Sequence, residues 1–246
     1  MSVRNLTGFG VAVFLLFLVF LFPASLGARV MFSNTDIRYG GVTGSVWDMT
    51  LENASLFGVP LGQLQIKPDI LPVVFGAPSA SLSFEHAERR GRVAKLNTQD
   101  GYHLSDFTLF TEISGQFGPV ALEGPVSVRG QEITFDASGS CSAGGAGFRA
   151  NILGALFIVV DAEAPTLEGN AVCSTSGMEI TFSGSSAFAS VSGESVWRGE
   201  RTIVADIAVA FNAETDLPNN LKSAMEFAGL RETNDGWRGQ LRLDLY

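Results

Sequence analysis

The sequence predicts a mainly β protein: an N-terminal transmembrane helix, then a curved, largely antiparallel β-sheet body with one or two short helices. Three observations lead there. A long apolar run without charge opens the chain, from Asn5 to Ala28. Behind it, short segments alternate apolar and polar residues at period two, the signature of half-buried strands. The chain is also rich in Gly (28) and Phe (19), and its body lacks the Ala/Glu/Lys/Leu blocks of long helices.

The elements follow in order. Residues 1–7 form a short tail, with Arg4 as its charge. Residues 8–27 form the anchor, since a bilayer core needs ~20 apolar residues in a helix. A cleaved signal peptide is the alternative, but Leu26 stands where a cut after Ala28 wants a small residue. The remainder, 28–246, is the β-rich body, expected in the periplasm. Strands are expected over Val42–Trp47, Met49–Leu56, Leu61–Ile66, Ala77–Phe84, Arg92–Leu96 and Leu104–Ile113. Pro68 to Gly76 breaks this series as a short helix or apolar turn. A second half opens near Phe117-Gly118-Pro119, with a hairpin of Ala121–Arg129 and Gln131–Ala137 around Gly130. Gly144–Ile152 is ambiguous, and Leu153–Val160 reads as a buried strand. Leu167–Ser174, Gly177–Ser183, Ala187–Gly193 and Ile203–Phe211 continue the strands. A helix then starts at Asp216-Leu217-Pro218, with Leu221, Met225 and Ala228 on one face and Gly229 at its end. Trp237–Leu245 closes the chain as a strand. No low-complexity linker divides the halves, so one continuous curved sheet is expected.

Composition and motifs exclude several functions. A net charge of −9 suits phosphate neutralisation poorly, so nucleic acid is not a partner. The chain has no Gly-rich loop ending in Lys-Ser/Thr and no His-Glu-x-x-His. Ser183, Ser185 and Ser186 have no histidine near them in sequence, and Glu85-His86 lies in a charged turn. Asp161 and Glu163 occupy an ordinary loop. No catalytic residue, cofactor or metal ligand is assigned.

Cys141 and Cys173 have matched surroundings, each with Gly four residues on (Gly145, Gly177) and an Ile-Thr-Phe strand nearby. Two thiols cannot complete a zinc site. In an exported domain such a pair is most simply a disulfide; two buried free thiols remain the alternative at this point. Trp47, Trp197 and Trp237 each stand beside a strand–turn junction, where packing is the usual role of the ring.

Gly41-Val42-Thr43-Gly44-Ser45-Val46-Trp47-Asp48, followed by Leu56 to Pro68 with its Leu61-Gly62-Gln63-Leu64 step, resembles the opening of type II secretion system protein N. Leu217-Pro218 to Leu230, then Asp235-Gly236-Trp237, is similar to that family's closing helix and strand. Residues 144–165 find no place on the family pattern. The resemblance implies a non-enzymatic, single-pass inner-membrane component of a type II secretion system. Such a component helps assemble the platform that exports folded proteins, with other inner-membrane subunits as partners. Gly41, Gly44, Trp47, Leu61 and Gly62 are the structural motif residues. Trp47 is expected to pack into the apolar side of the sheet, behind glycines that leave backbone room. An AsmA-like envelope protein is the alternative, handling lipid along a curved sheet. That reading requires a continuous exposed apolar face.

Overall fold

The computed structural model describes residues 9, 13–14, 17, 21–32, 37–56, 59–69, 79–87, 89–97, 101–117, 120–136, 140–158, 161–197, 202–212, 217–227 and 229–244. They belong to two units, 1–99 and 100–246. The predicted helix or turn beyond Asp69 and the expected helix position Ala228 lie outside the described residues, as does most of the 8–22 stretch. Among the described residues no helix is long and apolar enough to cross a membrane.

The first unit begins with helix α1 (Ala24–Met31) and continues through β1 (Ile37–Arg38), β2 (Gly41–Ser45), β3 (Asp48–Leu56), β4 (Val59–Pro68), β5 (Ser79–His86) and β6 (Arg89–Asn97). All its pairings are antiparallel: β3 pairs with β1, β2 and β4, and β4–β5–β6 follow in sequence order. Period-two alternation puts Met49 and Leu51 of β3 and Leu64 and Ile66 of β4 on one face, all buried. Ala24 and Ala28 of α1 join that cluster.

The second unit runs through β7 (Tyr102–Phe117), β8 (Val120–Phe135), β9 (Cys141–Ala150), helix α2 (Gly154–Ile158), β10 (Leu167–Ser174), β11 (Gly177–Ser185), β12 (Ala189–Trp197) and β13 (Thr202–Phe211). Helix α3 (Asn219–Phe227), β14 (Arg231–Thr233) and β15 (Gly236–Asp244) complete it. Strands β7 to β13 pair antiparallel in sequence order; β15 joins β13, and β14 joins β15. One face buries Val126, Ala150, Leu167, Val191, Val209 and Trp237, and Met225 of α3 and Leu230 close over them. The expected closing helix is present, with Leu221 and Met225 buried and the Leu230 N–H donating to the Met225 carbonyl at 2.9 Å.

Three expectations are corrected here. There is no hairpin around Gly130: β8 runs through it to Phe135, and Gly130 is paired with Phe107 of β7. The Phe107 ring fills the space that a side chain at 130 would take, so the glycine extends a strand instead of turning it. The Phe117-Gly118-Pro119 segment is not where the chain divides. β7 and β8 pair out to Phe117 and Val120, well inside the second unit. Of the expected strand Leu153–Val160, the described residues 153–158 do not form one: Gly154–Ile158 is α2, a single helical turn that buries Phe157 and exposes Ile158 at 77%. A short apolar run carries no period that separates the two states.

One device recurs through both units. Phe84 is paired with Gly91, Phe107 with Gly130, Phe148 with Gly169, and Phe182 with Gly193. In each pair the ring lies where the glycine's missing Cβ would stand. A ring laid over a cross-strand glycine covers backbone that the glycine would leave wet.

Candidate functional site

The segment most elaborately held in the first unit is the β2–β3 hairpin and the helix against it. Gly44 has φ +92°, a left-handed conformation, and a Cβ there would run into the Asp48 carbonyl. The strands turn over at Val46 and Trp47, with Ser45 paired to Asp48. The Val46 N–H donates to the Phe22 carbonyl at 3.0 Å, and Pro23 forms an antiparallel bridge to Ser45. The turn is thereby tied to the end of the apolar run. Pro23 then caps α1, which lays Ala24, Gly27 and Ala28 on the sheet. A Cβ on Gly27 would stand 2.7 Å from a Val46 methyl, so the helix comes as close as its small residues permit.

The motif residues fall as follows. Gly41 pairs with Glu52, and its Cα faces that side chain closely, since a Cβ would be 3.1 Å from the Glu52 carboxylate. Trp47 stands in the turn, not in a strand, and is partly exposed, while Met49 and Leu51 take the fully buried places on the apolar side. Leu61 packs against the core from β4. Gly62 has φ +70°, and a Cβ there would be 2.6 Å from His86 Cβ, so β4 and β5 close together at this point. Sequence reasoning missed α1 as an element of its own. Its signal was Ala24, Gly27 and Ala28 at helical spacing directly after a proline.

Cys141, at the start of β9, and Cys173, near the end of β10, form the expected disulfide, with Cα atoms 5.3 Å apart and a sequence separation of 32. Trp197 ends β12 opposite Met178, partly buried, and Trp237 near the start of β15 is 2% exposed.

Elsewhere the chemistry is sparse. Over β10 to β13 lies an open cleft of about 780 Å³, with Ser183, Ser185, Ser190 and Ser192 among its lining and Arg149 and Arg238 at its sides. Arg149 is paired with Glu168 at 3.5 Å, and the described residues lining the cleft include no histidine or cysteine. His103 lies 2.8 Å from the Thr134 hydroxyl and 3.3 Å from Glu132, a cross-strand pairing on β7 and β8. Among the described residues no three His, Cys, Asp or Glu side chains converge on a metal position. Among the described residues, the large apolar side chains exposed on the strands β10, β12 and β13 are Val172, Val196 and Val204. By alternation they face away from the Val191–Val209–Trp237 side that α3 covers.

The family model for type II secretion system (T2SS), protein N matches residues 35–239, from the lead into β1 to the middle of β15. The chain belongs to the T2SS protein N family. The match takes in the β2–β3 hairpin, both cysteines and the closing helix, so the T2SS protein N chain is a component of type II secretion by membership. It also covers residues 144–165, the stretch that the sequence pattern left unplaced. No curated protein and no solved structure matches the chain.

Proposed function

We propose that this T2SS protein N chain is a non-enzymatic, single-span inner-membrane subunit that helps hold the secretion platform together, its two β units in the periplasm. The observation that carries this reading is the burial of α1. Ala24 and Ala28 are 2% and 0% exposed against Met49 and Leu51. A signal-peptidase cut after Gly27 or Ala28 would split this helix and strip its residues from the core. This supports retention of the apolar run, and with it attachment to the bilayer. The Cys141–Cys173 bond favours an oxidising compartment for the body. The covered apolar side of the second unit favours a scaffold over a lipid-carrying groove.

The test is expression of the full chain in a bacterium carrying the secretion system. The intact mass is expected to include residues 1–28, the chain to resist alkaline extraction from membranes, and detergent-solubilised protein to co-purify with other secretion-system subunits. A soluble protein whose mature N-terminus is Ala28 or Arg29 would overturn the reading.

A further inference from the structure

We propose that the β2–β3 turn sits in the headgroup layer of the bilayer, with Trp47 as its interfacial side chain. This rests on the reading above, that the apolar run is retained in the membrane. Three observations carry it. The first is composition. The turn is Val46-Trp47, with neither residue at positive φ, so its backbone does not demand Asn or Gly. Turn tips are mostly Gly, Pro, Asn, Asp or Ser, and this one instead offers two apolar side chains, with Trp47 partly exposed.

The second is position. The Val46 N–H is bonded to the Phe22 carbonyl, and Ser45 is bridged to Pro23. Phe22 ends the run that begins at Gly8, and Leu21 and Phe22 are 71% and 38% exposed. The turn is therefore held one hydrogen bond away from the point where the chain leaves the membrane.

The third is length. α1 takes residues from Ala24 onward out of the span. That leaves fifteen residues of the apolar run, Gly8 to Phe22, where a hydrocarbon core of about 30 Å asks for roughly 20. A short span draws its flanking residues toward the bilayer, where Trp and Arg are the favoured side chains. Leu26, 48% exposed, and the exposed Arg29 stand on α1 just after Pro23, on the face turned from the buried Ala24 and Ala28. Arg29 can keep its stem apolar and its guanidinium among phosphates.

The experiment places the full chain in vesicles of phosphatidylcholine and phosphatidylglycerol whose acyl chains are brominated near the headgroup. Trp emission is compared with that in unbrominated vesicles. The chain holds three tryptophans, so shallow bromine is expected to quench roughly a third of the emission, and Trp47→Phe should abolish that quenching. A Trp197→Phe/Trp237→Phe chain, carrying Trp47 alone, reads the same site directly and serves if Trp47→Phe folds poorly. Vesicle-bound protein that resists alkaline extraction yet shows no quenching, or quenching that survives Trp47→Phe, overturns the inference and leaves the anchor standing. Protein that does not associate with the vesicles overturns both.

Discussion

A glycine facing a phenylalanine across two strands is a joint with no slack. At Gly193 the Phe182 ring occupies the Cβ position and the Asp206 carbonyl oxygen lies 2.7 Å from it. Even a methyl group must push one of them aside. Overpacking of this kind costs about 1–3 kcal/mol, so Gly193→Ala should lower the denaturation midpoint without changing the slope of unfolding. Phe182→Ala should absorb much of that penalty, and the two substitutions together should fall short of the sum of their separate costs. Strict additivity would mean that the ring moves away freely. The pairing also explains a misreading. A lone Gly in a strand pattern suggests a turn or a bulge; at Gly130 the register of β8 against β9 does shift, between Arg129 and Glu132, yet the strand runs on, and Phe107, twenty-three residues earlier, fills the glycine's space.

Elements legible in the sequence were those whose pattern is local. β10 falls on Leu167–Ser174 as alternation alone places it, and β3 differs from its expected span by one residue. α3 was legible because a proline start, a buried Leu221–Met225 stripe and Gly229 agree. α2 was not, since Gly-Ala-Leu-Phe-Ile is too short to show a period, and its helicity depends on Phe157 finding Phe188 edge-on at 6.1 Å. In the candidate site the glycine and tryptophan positions were visible, but their purpose depends on Phe22 and Pro23, which lie far from the hairpin in sequence and inside a stretch read as continuous anchor. The disulfide was legible from its repeated surroundings. It joins β9 to β10 where their ladder ends, beyond the Val172–Gly145 pair. Closing a loop of this size stabilises by about 3.7 kcal/mol in the chain-entropy model. Cys173→Ser should therefore lower the melting temperature of the second unit by roughly 7–15 °C. Reductant should do the same to the wild-type protein and nothing further to the variant.

Among the described residues each unit has its own set of buried residues, one around Met49 and Leu51 and one around Val209 and Trp237. Trp237→Ala removes the largest side chain of the second set, at a cost of about 3–5 kcal/mol. Hydrogen exchange should then quicken in the strands after Tyr102 while the amides of β3 and β4 keep their protection; equal loss in both would mean that the units unfold as one. The strand order of the second unit bears on how such a chain is completed. From β7 to β13 each strand lies beside its predecessor, so every ladder closes a short loop and little chain entropy is lost per step. Strands can be added one at a time in the order of synthesis, each docking on an edge already made. The last step breaks that rule: β15 reaches back to β13 past α3 and β14 and brings Trp237 with it. Until then the apolar row ends at Val209 with nothing beyond it. The C-terminal hairpin is thus the latch of the unit, and a chain stopped short of Gly236 would carry nearly all its strands and still present an open edge.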